Sequence, residues 1–119
     1  MRFLSLLLSI FVCTTVFAQK KYSADDAGKH IGDSATVCGK VYGGKFLETS
    51  KGTPTLINMG AAFPKSPFTF VIFADARKLF KDAPEVFYNN KNVCVNGVIK
   101  EYKNKPQIIV EKPGQIVVE

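Results

Sequence analysis

At 119 residues and a formal net charge of +6, the chain is too short for two ordinary domains and is mildly basic. It has no blocks of like charge, which excludes a polybasic arm or an acidic tail as its organising feature. Beyond the apolar N-terminal stretch that holds Cys13, one histidine, His30, and two cysteines, Cys38 and Cys94, are too few donors for a four-ligand structural zinc site.

Arg2, the apolar run Phe3 to Phe17, and Val16-Phe17-Ala18 ahead of Gln19 match the three regions of a secretory signal peptide. The run of about 15 residues is short of the roughly 20 that span a hydrocarbon core, so residues 1–18 are expected to be a cleaved leader. Losing Arg2 would lower the charge from +6 to +5. Residues 19–119 then form one domain, periplasmic or secreted, with no stable membrane span. Cys38 and Cys94 remain, and an even pair in an exported chain favours a disulfide over two free thiols.

Ser23-Ala24-Asp25-Asp26 predicts a short helix with Ser23 as N-cap and acids in its first turn. His30 beyond it reads as a half-exposed structural residue. From Ala35 the apolar period becomes two. Ala35, Val37, Gly39 and Val41 share one face, and Thr36, Cys38, Lys40 and Tyr42 the other. Gly39 predicts a bulge or bend, and Gly43-Gly44 loosens the continuation towards Glu48. A polar turn, Thr49 to Gly52, precedes a second strand, Pro54 to Met59. A loop, Gly60 to Pro67, precedes a third, Phe68 to Phe73. Asp75 to Phe80 has helical spacing, interrupted by Pro84. Val93, Val95, Gly97 and Ile99 share a face of a fourth strand. Lys103-Asn104-Lys105 turns into a fifth, Gln107 to Glu111, and Pro113-Gly114 breaks it before an apolar tail.

This order predicts an all-β, five-stranded Greek-key barrel of the OB type. It has a short N-terminal helix and a short helix between strands 3 and 4. An immunoglobulin-like sandwich would want about seven strands and a tryptophan, and the chain has no tryptophan. In such a barrel strands one and four are antiparallel neighbours. Cys38 follows inward Val37 and Cys94 follows inward Val93, so a Cys38–Cys94 disulfide is expected, with Cα atoms about 4.5 Å apart if directly opposed.

Several stretches together carry a family resemblance: His30-Ile31-Gly32, Ala35-Thr36-Val37-Cys38-Gly39-Lys40-Val41, Gly52-Thr53-Pro54-Thr55-Leu56-Ile57-Asn58, Phe63-Pro64 and Phe68-Thr69-Phe70-Val71-Ile72-Phe73. Arg77 to Phe80, Val93-Cys94-Val95-Asn96-Gly97-Val98-Ile99, Tyr102 and Lys105-Pro106-Gln107-Ile108 continue it. In this order and spacing the chain, from about residue 29 to 117, resembles the bacterial OB-fold nucleic-acid-binding-like domain of short exported proteins, also found beside endonuclease-type domains. The resemblance implies a barrel of that type. The chain has Gly60 where the family pattern has an acidic residue.

Catalysis lacks parts. His30 lies in the lead segment, away from any Ser or Cys partner that a triad needs. A staphylococcal-type nuclease site would want clustered acids and two arginines, but only Arg77 follows the leader. No catalytic residue, metal or cofactor is expected. Binding has more material, because single-stranded nucleic acid is held by cations along the phosphates and by aromatic faces under the bases. The second and third strands of an OB barrel and its flanking loops would supply Lys45, Lys51, Phe63, Phe68, Lys100, Tyr102, Lys103 and Lys105, while Phe70 fills the barrel. The expected function is a non-enzymatic envelope protein that binds single-stranded DNA or RNA, or another polyanion. The alternative is an envelope module that binds a protein or small ligand.

Overall fold

The computed structural model describes residues 20–119, and the expected leader, residues 1–18, lies outside them. Eight strands form the fold: β1 (Lys20–Ser23), β2 (Ser34–Phe46), β3 (Thr55–Met59), β4 (Phe68–Ile72), β5 (Asn92–Val98), β6 (Lys100–Tyr102), β7 (Lys105–Ile109) and β8 (Ile116–Val118). Two single-turn helices, α1 (Ala74–Arg77) and α2 (Pro84–Phe87), join β4 to β5. The sheet runs β6-β7-β4-β3-β2-β5-β8, with β1 added to β2. The fold is all-β with short helices, as expected. It is not a closed five-stranded barrel: β5 and β7 meet without a backbone ladder, and β1, β6 and β8 are additional strands. Among the described residues no helix is long and apolar enough to cross a membrane.

The alternating apolar residues form the core. Ala35, Val37, Val41, Ile57, Met59, Phe68, Phe70, Ile72, Val93, Val95, Ile99 and Ile108 are fully buried, because successive strand residues face opposite sides. The lead segment departs from its expected form. Lys20–Ser23 pairs in parallel with Ala35–Cys38, while the expected short helix is present as a 3-10 helix, Ala24–Lys29. Ser23 makes no capping bond to the helix backbone; its hydroxyl instead contacts Asp26. The helix buries Ala24 and Ala27 in the core.

Gly39 carries no bulge. It pairs in regular register with Val93, and its missing side chain makes room for Met59, whose Cγ would lie 2.9 Å from a Cβ there. The bulge falls between Val41 and Gly44, where Gly43 has φ +79°.

The seam between β5 and β7 is bridged by a side chain. The Gln115 Nε2 donates to Asn96 O on β5 at 2.9 Å. Its Oε1 accepts from Glu111 N and Lys112 N, just past β7, at 2.8 and 3.2 Å. One amide thereby satisfies backbone groups that a ladder would otherwise pair.

Cys38 and Cys94 are directly opposed on antiparallel β2 and β5 and form the expected disulfide, with Cα atoms 4.1 Å apart. They are 56 positions apart in sequence, and closing a loop of that length stabilises the fold by about 4 kcal/mol in the chain-entropy model. Replacing both cysteines by serine should lower unfolding stability by about that amount in denaturant titration. Equal midpoints for the two proteins would show that the bridge contributes nothing.

Candidate functional site

Register identifies which side chains share the outer wall. Thr55, Ile57 and Met59 are buried, so Leu56 and Asn58 between them face outward. Cross-strand partners share a face. Lys45, Leu56, Val71 and Ile109 therefore form one row across the sheet, and Asn58, Thr69, Gln107 and Lys100 form the next. Tyr102 and its partner Lys105 follow on the same face.

The first row is mainly apolar. The second carries two amides and a hydroxyl, with Lys100 at its end. Asn58 accepts a bond from the Ser66 hydroxyl at 3.3 Å, which orients one of the amides. The types present, amide, hydroxyl, ammonium and phenol, can meet bases and phosphates but supply no nucleophile–base pair.

The β6–β7 hairpin brings several predicted residues together. Its tip, Lys103-Asn104, has φ of 49° and 64°, so both residues are left-handed, as a two-residue turn of type I′ requires. Lys103 Nζ lies 5.4 Å from the centroid of the Tyr102 ring. Lys105 Nζ donates to Pro64 O at 2.8 Å and ties the hairpin to the loop carrying Phe63. Tyr102 and Phe63 are 59% and 77% exposed, so both rings are open to a ligand.

Other predicted residues are placed differently. Phe68 has no exposed surface. It opposes Met59 in the core, so it cannot stack on a base; its inward parity follows from buried Phe70 two positions later. Lys45 and Lys51 lie towards the Thr55 end of β3 and the hairpin towards its Met59 end. The length of that strand, about 13 Å, separates the two groups. They form two ends of one outer wall rather than one patch. Asn58, Thr69 and Gln107 were missed by sequence reasoning, because polar residues alternating with apolar ones look like any solvated strand face. Only the register aligns them.

Arg77, the one arginine among the described residues, is not free for a phosphate. It makes a two-pronged bond to Glu85, at 2.6 and 3.0 Å, donates to Thr55 Oγ1, and stacks over Phe46. That hydrogen bonding holds the Glu85 carboxyl below the usual carboxylate range. His30 stacks on Tyr22, with ring centroids 3.7 Å apart, and faces Asp33. Cys38, Cys94 and Glu119 are the grouping of potential metal donors among the described residues. Their sulfurs are joined to each other, which removes the thiolates a metal would need.

No family model matches the chain, and no curated protein matches it. Among solved structures, a Leishmania major Friedlin protein provisionally assigned as an aspartyl-tRNA synthetase is similar. The TM-score is 0.51 at 9% identity, covering 89% of this chain and 22% of that one. The chain thus spans less than a quarter of that protein's length, and at this identity the likeness is one of fold alone.

The hairpin tip carries strain that another sequence would relieve. Asn-Gly suits a type I′ turn better than Lys-Asn, and a left-handed residue bearing a Cβ costs roughly 1–2 kcal/mol. Replacing Lys103-Asn104 by Asn-Gly should therefore raise the melting temperature, at a gain of about 1 kcal/mol. A lower melting temperature would show that Lys103 or Asn104 supports the fold.

Proposed function

We propose that this protein is a non-enzymatic, exported envelope protein that binds single-stranded nucleic acid, or a similar polyanion, on the outer wall of an OB-type barrel. In this reading β2, β3, β4, β5 and β7 are the five barrel strands and Gln115 spans their open seam. The antiparallel run β2-β3-β4, the parallel β4–β7 pair and the antiparallel β2–β5 pair support that assignment. The disulfide supports an oxidising compartment, periplasmic or extracellular.

One observation carries the functional reading: the hairpin holds an exposed Tyr102 beside Lys103 and Lys105, next to exposed Phe63, on the wall that bears Asn58, Thr69 and Gln107. Aromatic faces stack bases, ammonium groups meet phosphates, and amides bond base edges. Lys103 keeps an unfavourable backbone conformation at the tip, and residues held in such conformations cluster at functional sites.

A second reading, an envelope module for a protein or small ligand, is favoured by a shallow cleft at the other end of the wall. Phe73, Ala76, Leu79, Ile109 and Val110 line it, with Asp75 and Glu111 among them. An apolar cleft bearing acids does not suit phosphate.

Binding of fluorescent single-stranded DNA and RNA by the mature protein across a salt series separates the two. Affinity should fall steeply as salt rises. Replacing Lys103 and Lys105 by alanine should weaken binding of every sequence alike and flatten the log–log slope by about one unit for each phosphate no longer neutralised. Tyr102→Ala should cost about 1–3 kcal/mol with little change in slope, because stacking releases no counterions. No binding at low salt would end the nucleic-acid reading and leave the cleft.

A further inference from the structure

A second set of aromatic rings under lysines lies on the wall of β2, away from the hairpin. Tyr42 follows buried Val41, points outward and is 40% exposed. Lys40 Nζ sits 5.3 Å from the centroid of its ring. Phe87 of α2 is 41% exposed, with Lys91 Nζ 3.6 Å from its ring centroid. The segment after α2 is bonded to the bulge of β2, so the two ring–lysine pairs are held on adjoining backbone. Val41 N donates to Lys91 O at 2.9 Å, Asn90 N to Val41 O at 3.1 Å, and Gly43 N to the Asn89 side chain at 2.9 Å.

The arrangement repeats what the hairpin shows, an exposed ring with an ammonium above it. The polar row joins the two places. Asn58 lies opposite the bulge, since its neighbours Met59 and Ile57 pair with Val41 and Gly44. From there Thr69, Gln107 and Lys100 follow on successive strands to the hairpin. Four strand spacings give about 19 Å, a span that a short oligonucleotide cannot cover while seated at either end.

We propose that Tyr42 and Phe87, with Lys40 and Lys91, form a second stacking and phosphate-binding patch for the same single strand. This rests on the single-strand reading above. A long oligonucleotide engages both patches, and a short one only the hairpin. Once the hairpin is occupied, the second patch meets bases at the high local concentration that tethering supplies. The patch therefore adds affinity only for strands long enough to reach it.

The test uses the mature chain with labelled dT4 and dT16 at one low salt concentration. The variants are Tyr42→Ala, Tyr42→Phe and the pair Lys40→Ala with Lys91→Ala, each with its melting temperature measured. Tyr42→Ala and the lysine pair should bind dT4 within twofold of the unmodified protein and dT16 roughly tenfold more weakly. Tyr42→Phe keeps the ring and should match the unmodified protein at both lengths. Lys40 is exposed and Lys91 half-buried, neither belonging to the core, so the pair tests the proposal even if removing the tyrosine ring disturbs the fold. If Tyr42→Ala and the lysine pair bind dT16 normally, or weaken dT4 and dT16 equally, the second patch is overturned and the single-strand reading stands. If the unmodified protein binds neither oligonucleotide, the reading beneath the proposal fails and the patch with it.

Discussion

One strand has to serve two half-sheets, and the rest of the structure follows from how it does so. The first part of β2 lies between β1 and β5, and its last part pairs with β3. The partner changes between Cys38, opposite β1, and Val41, opposite β3, and a bulge follows between Val41 and Gly44. Two glycines make it possible: Gly43 takes a left-handed φ, and a Cβ on Gly44 would lie 2.6 Å from Leu56 O. A bulge adds one residue on one side of a pair, and one residue reverses which face a side chain occupies. Before the bulge the odd positions, Ala35, Val37 and Val41, are buried. After it Gly44 opposes buried Ile57, and Lys45 opposes outward Leu56. Unbroken alternation would drive the Lys45 ammonium towards the core, at the cost of its hydration. The bulge places Lys45 on the outer wall and leaves Tyr42 there too.

Much of this architecture is legible in the sequence, where period-two patterning is strong. The buried sets Ala35–Val37–Val41 and Val93–Val95–Ile99 follow from alternation alone, and so does the opposition of Cys38 and Cys94 once their strands are neighbours. The bulge was legible as well, but in a different residue. Lys45 has the same parity as Val41, and that conflict locates the extra residue between them. Gly39 is a glycine for want of space beside Met59, a packing made across strands that local patterning does not reveal. The strands β1, β6 and β8 are three or four residues long. Their pairing depends on tertiary neighbours more than on their own propensity.

The site was less legible than the fold. Exposure of Tyr102 and the lysines at a hairpin tip follows from the turn itself. The burial of Phe68 needed only consistent parity with Phe70. The amide row was invisible, because Asn58, Thr69 and Gln107 come from three strands and align only through register. The outer wall is divided by chemistry. The Lys45–Leu56–Val71–Ile109 row leads to an apolar cleft with acids, whereas the Asn58–Thr69–Gln107–Lys100 row leads to the basic, aromatic hairpin. The second end gathers Lys100, Lys103 and Lys105 around an exposed ring, whereas at the first Lys45 and Lys51 share the wall with Glu111 and with Asp75, which is paired to Lys78.

In the proposed reading, that division of the wall sets where a single strand sits. Amide resonances of isotope-labelled mature protein, followed as single-stranded DNA is added at low salt, report the contact surface residue by residue. Asn58, Phe63, Thr69, Lys100, Tyr102, Lys103, Lys105 and Gln107 should shift, while Ala76, Leu79 and Glu111 stay fixed. Shifts confined to Phe73, Leu79 and Ile109, or no shifts anywhere, would contradict binding at the basic end.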